Sequence, residues 1–150
     1  MHTVDTIAIA STPDVVYRLA ADVECWPDIL AHYRWVRVLE QRGPDECIVE
    51  MAARRDFIPV WWRSIMRRYP AEHRIMYKHI GGATTGMDVE WTVVPAGGVT
   101  RARITHDIIL PWPVIGPVTA FLMCDLFVSH IANQTLHGIA AAAEKMPGQP

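Results

Sequence analysis

Residues 22–40 read DVECWPDILAHYRWVRVLE. The pattern changes inside this stretch. Trp26-Pro27 opens a short helix through Leu30, because proline suits the first helical turn. From Arg34 the apolar period drops to two, the mark of a half-buried strand. Working back, 4–10 alternates as a first strand. Ser11-Thr12-Pro13-Asp14 then starts a helix, with Asp14 at the positive end of its dipole. Val15, Val16, Leu19 and Ala20 form the apolar face of that helix. Working forward, strands are expected at 34–41, 47–54, 60–69, 74–80, 87–94 and 100–109. The joints at 42–45, 56–59, 70–72, 81–86 and 95–98 are short and rich in Gly, Pro and Asp, as antiparallel hairpins require. Pro111-Trp112-Pro113 ends the sheet. A helix over about 117–145 follows, stopped by Pro147-Gly148. This order predicts an α+β domain spanning 1–150. Its seven-stranded antiparallel sheet curves around a long C-terminal helix, leaving a cavity between them.

Composition narrows the function. A chain of 150 residues that is 51% hydrophobic and 20% charged has enough apolar surface for a real core. A net charge of −2 argues against a polyanion-binding surface, so nucleic acid is not an expected partner. Cys25, Cys47 and Cys124 lie far apart without a CxxC pair, which suits buried reduced thiols rather than a disulfide framework or a zinc site. Residues 1–10 contain Asp5 and no basic run, so no signal peptide is expected. No apolar run reaches the ~20 residues of a membrane span. The expected location is the cytoplasm.

Charged residues mark the solvent face of each strand, and their in-phase neighbours face inward. Arg63 and Arg67 turn Trp62, Ser64 and Met66 inward. Lys78 turns Ile75, Tyr77 and His79 inward. Asp88 and Glu90 do the same for Met87, Val89, Trp91 and Val93. Arg101, Arg103 and Asp107 do so for Ala102, Ile104, His106 and Ile108. Glu50 and Arg54 leave Val49, Met51 and Ala53 inside. The inner face is therefore apolar and aromatic, interrupted by Ser64, Tyr77, His79 and His106. A mostly apolar pocket with a few converging polar groups is the usual form of a small-molecule site. On a wheel of ~100° per residue the last helix buries Phe121, Val128, Ala132, Thr135, Leu136, Ile139 and Ala143. Asp125 falls within that stripe and Ser129 on its edge. A carboxylate there is costly unless paired or functional. Met123 and Phe127 fall on the outer side and are the candidates for a homodimer seam; otherwise the chain is a monomer.

Several residues carry a resemblance: Ser11-Thr12-Pro13, Asp22-Val23-Glu24-Cys25-Trp26-Pro27, Tyr33, Val60-Trp61-Trp62, Met87-Asp88-Val89-Glu90-Trp91 and the closing helix. The chain resembles the START-like (SRPBCC) superfamily of polyketide cyclases and dehydrases over essentially its whole length. That implies the helix-grip fold, which is also that of the Bet v 1-like proteins. Within the superfamily it is similar to aromatic-polyketide aromatase/cyclases. Such proteins receive a poly-β-ketone, free or tethered to an acyl carrier protein, and guide aldol closure and loss of water without a cofactor. In that group an inward arginine commonly follows the tryptophan and serine on one strand face. Here the position reads Met66, with Arg67 in the outward phase and Arg68 in phase near the strand end. The resemblance then leaves the chemistry to His79 or His106.

The expected catalytic groups are His106 as acid/base, Asp125 orienting it or sharing protons with it, and Tyr77 and His79 as donors to substrate carbonyls. Imidazole suits the first role because it titrates near neutral pH. The expected substrate contacts are Trp26, Tyr33, Trp62, Ser64, Met66, Met87, Val89, Trp91, Phe121 and Ser129. Ser64 lacks a GxSxG context and is at most a hydrogen-bond donor. His79 and His106 should be separated by the intervening strand and lack a third ligand, so no metal site is expected. The same cavity also suits a carrier of a hydrophobic ligand such as a lipid or quinone.

Overall fold

The computed structural model describes residues 1–109 and 127–146. Strand β1 (His2–Ile9) runs into α1 (Pro13–Ala21), with Pro13 first in the helix and Thr12 Oγ1 accepting from Val15 N–H. A single turn (Val23–Cys25) leads to the short α2 (Trp26–Ile29). Six strands follow: β2 (Tyr33–Gln41), β3 (Glu46–Arg55), β4 (Ile58–Tyr69), β5 (Arg74–Gly82), β6 (Asp88–Ala96) and β7 (Val99–Asp107). Helix α3 (Ser129–Lys145) closes the described chain.

The sheet has seven strands in the order β1-β7-β6-β5-β4-β3-β2, antiparallel throughout. From β2 to β7 consecutive strands pair as hairpins, and β7 returns to pair with β1 at the far edge. The expected helix-grip fold is thus the observed one, with α3 packed along the inner face. Among the described residues no helix is long and apolar enough to cross a membrane.

The alternation sorted the faces correctly. Val49, Met51, Ala53, Trp62, Met66, Ile75, Tyr77, Val89, Trp91, Val93, Ala102 and Ile104 are buried in one core, and Ser64, His79 and His106 are buried with them. On α3 the buried set is Ala132, Thr135, Leu136, Ile139, Ala140 and Ala143. Gly138 gives room where α3 meets the end of α2, because a Cβ there would stand 2.2 Å from Leu30 Cδ2 and would displace that side chain.

Two expectations are corrected. Phe127 faces the sheet and lines the cavity rather than the outer surface. Residues 127–128 are wound as a π turn, which rotates side chains away from the 100° wheel. Met123, its proposed seam partner, lies outside the described residues. Cys25 is exposed, its Sγ 3.1 Å from Asp22 Oδ2, because it ends a surface turn; Cys47 is buried as expected, and Cys124 lies outside the described residues.

Candidate functional site

A cavity opens between the sheet and α3. It encloses about 630 Å³ free of protein atoms, mouth included, of which about 80 Å³ admits the centre of a water molecule. Measured by the smaller figure, the space lies below the roughly 300–1,000 Å³ of small-molecule pockets. A ligand therefore enters only if the aromatic walls separate.

The floor is set by register. Tyr77 pairs with Val89, and Val89 with His106, so the three form one row across β5, β6 and β7. With strands ~4.8 Å apart, Tyr77 and His106 stand roughly 10 Å from each other on the same face. In the next row His79 pairs with Ser64. A bulge lies between Arg63 and Ser64 on β4, opposite Ile80 on β5. It turns Ile80 outward and leaves His79 only 5% exposed, inside the cavity rather than at its rim. Just beyond the bulge Gly82 has φ +90, and a Cβ there would stand 2.3 Å from the Trp61 carbonyl oxygen. That glycine lets β5 approach the backbone that carries Trp62.

Aromatic rings make the walls. Trp26 meets Tyr33 edge-on at 5.1 Å and Trp91 at 5.9 Å. Tyr33 meets Trp62 at 6.1 Å, and Trp62 lies parallel to the His79 ring at 5.8 Å. The Trp26 indole N–H donates to the Leu19 carbonyl at 3.0 Å. Trp26 thus anchors α2 to α1 and offers the cavity its ring alone.

The polar groups differ in how they are held. His79 Nδ1 lies 2.6 Å from Thr84 Oγ1, which fixes the ring. Burial lowers the His79 pKa to about 3, helped by His106 and Lys78. Burial likewise lowers that of His106 to about 4. Both imidazoles are therefore neutral at pH 7. His106 Nδ1 and the Tyr77 hydroxyl are buried without a hydrogen-bond partner among the described residues. Burial holds the Tyr77 phenol well above its ordinary value, so it stays protonated.

Of the expected contacts, Trp26, Tyr33, Trp62, Tyr77, His79, Met87, Val89, Trp91 and His106 all line this cavity. Ser64 and Met66 are fully buried on the same face but lie in the core beside it, and Ser64 Oγ has no partner among the described residues. Ser129 turns away, its hydroxyl 3.4 Å from Asp5 Oδ2 on β1. Phe121 and Asp125 lie outside the described residues. Arg68 is half-buried but donates to the Ala21 carbonyl at 3.2 Å and does not line the cavity. Sequence reasoning missed Thr84 and His32, which sit on connections where no period gives direction. It placed Thr135 on the buried stripe without a polar role.

The sequence pattern of the polyketide cyclase/dehydrase and lipid transport family matches residues 9–133. The chain belongs to that family. This polyketide cyclase/dehydrase-family chain also superposes on solved structures across nearly its full length. Zhui aromatase/cyclase from Streptomyces sp. R1128 matches at TM-score 0.85 and 22% identity, over 97% of this chain and 94% of that one. The di-domain ARO/CYC StfQ of the steffimycin biosynthetic pathway matches at 0.76 and 23%, over 96% of this chain and 51% of that one. Ginseng major latex-like protein 151 from Panax ginseng matches at 0.78 and 13%, over 95% and 97%. At such identities the likeness shows the fold. No curated protein matches the sequence.

Proposed function

We propose that this family member is a polyketide cyclase that guides aldol closure and dehydration of a poly-β-ketone inside the cavity. The observation that carries the reading is a pair of buried polar groups without a partner among the described residues, the Tyr77 hydroxyl and His106 Nδ1, facing one apolar aromatic space in a single row. A methylene between two carbonyls is an acidic C–H. Neutral His106 takes its proton, and the electron pair moves onto a carbonyl oxygen as an enolate. Tyr77 O–H and the His79 ring are the donors that stabilise that oxygen. The enolate carbon then attacks a second carbonyl, forming the C–C bond. The imidazolium returns its proton to the new alkoxide. Loss of water needs a second C–H proton removed and a proton delivered to the departing hydroxide. Apolar walls exclude water and restrict the folding of the chain, so part of the catalysis is templating.

The cavity would also serve a carrier of a lipid or quinone, a reading favoured by its apolar lining and by the family's lipid-transport members. The test is the product mixture of a minimal polyketide synthase with and without the protein, alongside native mass spectrometry of freshly purified protein. A shifted mixture, with turnover lost in His106→Ala while ligand affinity holds, supports the cyclase. An unchanged mixture together with a co-purified lipid overturns it.

A further inference from the structure

Residues 54–59 read RRDFIP and make the hairpin between β3 and β4. Arg55 pairs with Ile58, so the turn itself is Asp56-Phe57. A two-residue hairpin turn favours Asp-Gly, because its backbone must take positive φ. Asp56 meets that need, with φ +54. Phe57 stands where glycine is the usual choice, so the turn does not explain it. The residue is 89% exposed. Ile58 and Trp61, on the strand that leaves the turn, are also exposed. Scattered exposed apolar residues are ordinary, but a cluster at a projecting turn is a patch. Ile58 continues the inward phase of Val60 and Trp62, while Trp61 faces outward opposite Ala52. Apolar groups therefore lie at the apex and on both faces of the tip, which makes it a wedge rather than a flat surface.

Arginines stand behind the wedge. Arg54 is exposed beside Pro59, and its backbone N–H donates to the His32 carbonyl at 2.8 Å. That bond brings the start of β2 alongside, with its exposed Arg34. The Arg34 and Arg37 guanidinium groups lie over the Trp35 ring at 5.3 and 5.0 Å. Asp56 is the one acid of the 54–59 run, in a chain whose net charge is −2. The tip thus joins local positive charge to apolar surface on a protein that is acidic as a whole. A second copy docked tip to tip would set arginine against arginine. An acidic protein would satisfy the arginines but would need a cleft for an apolar wedge. An anionic lipid surface meets both demands. Its headgroups match the arginines, its acyl region takes Phe57 and Ile58, and Trp61 suits the depth between them.

We propose that the β3–β4 hairpin tip docks this protein on an anionic lipid surface, with Phe57 and Ile58 inserted and Arg54 and Arg34 on the headgroup phosphates. The contact is peripheral and reversible, since one short apolar tip and a few charges do not make a permanent anchor. Its place in the fold gives it a use. Val60, on the same strand as Ile58, lines the cavity. At ~3.3 Å per residue the apex at Phe57 stands roughly 10 Å from that lining. An apolar guest therefore passes between bilayer and cavity over a short path instead of crossing bulk water. The inference goes beyond the cyclase reading and holds whether the guest is cyclised or only carried.

The test is flotation of the full chain with vesicles of phosphatidylcholine alone and of phosphatidylcholine mixed with phosphatidylglycerol. Wild type is expected to bind the mixed vesicles roughly tenfold more tightly than the neutral ones. Phe57→Ser and Arg54→Glu should each weaken that binding by about tenfold. Leu39→Ser, at an exposed apolar position toward the other end of β2, should leave it unchanged. Lipids brominated in their acyl chains should quench tryptophan emission in wild type and less in Trp61→Phe. Equal binding to both vesicles, or binding unchanged in Phe57→Ser, overturns the proposal. Loss in Arg54→Glu with Phe57→Ser unaffected marks adhesion by charge alone and overturns insertion. A wild-type dimer that ignores vesicles and that Phe57→Ser converts to monomer assigns the tip to a second copy and overturns the lipid surface. Absent flotation together with acyl carrier protein binding that Phe57→Ser abolishes assigns it to an acidic protein and overturns the proposal likewise.

Discussion

Replacing Tyr77 by Phe should make the protein more stable and its cavity less able. The hydroxyl is buried, with the residue 6% exposed, and it meets no partner among the described residues. A buried polar group left unpaired costs about 1–3 kcal/mol relative to a paired or solvated one. Removing it recovers much of that cost. The opposing term is the small void left by one oxygen, a few tenths of a kcal/mol at about 24 cal/mol per Å³. The net expectation is a gain of about 1–2 kcal/mol, which in a chain of this size raises Tm by roughly 2–8 °C. Tyr17 supplies the control. Its hydroxyl is also buried without a partner among the described residues, but the residue sits on α1 and does not line the cavity. Tyr17→Phe should stabilise similarly and leave cyclisation untouched, whereas Tyr77→Phe should slow it by one to two orders of magnitude, the loss of one oxyanion donor. Urea unfolding at pH 7 gives the stabilities, and the polyketide product profile gives the activity. A Tyr77→Phe protein less stable than wild type by 1 kcal/mol or more would refute the reasoning, because the hydroxyl must then be satisfied. A stabilised protein with an unchanged profile would show that the hydroxyl is idle.

Stability should fall as the solution is acidified. His79 and His106 have folded pKa values lowered by burial to about 3 and about 4, below the ~6.5 of an unfolded histidine. Between those limits the unfolded chain binds more protons, so stability is complete above pH 6.5 and is lost as pH falls toward 4 and then 3. Two such groups give at most about 3 kcal/mol per pH unit, and urea midpoints across pH 4.5–7.5 should slope accordingly, with a flatter curve in a protein carrying Gln at both positions. Gly82→Ala forces a Cβ against the Trp61 carbonyl at a φ of +90, so it should cost about 2 kcal/mol or more and shift the emission of Trp62. Leu136→Ala empties a fully buried site on α3 and should cost about 2–5 kcal/mol by the same unfolding assay.

The fold was readable because β4 to β7 carry charges at regular intervals. Arg63, Lys78, Asp88, Arg101 and Arg103 each fix the phase of a strand, and the opposite phase fills the core. Legibility ended where that period is interrupted. The β4–β5 bulge changes the count by one residue, so His79 was inward by phase while its depth could not be inferred. The π turn at 127–128 broke the wheel and sent Phe127 to the wrong side. His32 and Thr84 reach their partners from connections, where side-chain direction depends on tertiary contacts rather than on spacing.

The electrostatics of the site decide what kind of molecule it suits. Among the described lining residues there is no carboxylate, ammonium or guanidinium, and burial keeps both imidazoles neutral and both lining tyrosines protonated. A resting cavity of this kind favours an uncharged guest. Once a proton leaves a poly-β-ketone, the enolate becomes the strongest charge in a poorly screened space, where each donor acts more strongly than in water. The same charge raises the affinity of His106 for the proton it has taken, which offsets the burial that weakens it as a base. A lipid carrier gains nothing from a buried tyrosine hydroxyl and ring nitrogen that have no partner among the described residues, each of which lowers stability by about 1–3 kcal/mol while unpaired. Under the proposed cyclase reading, their place in one row suits a guest that carries hydrogen-bonding oxygens and develops charge while bound.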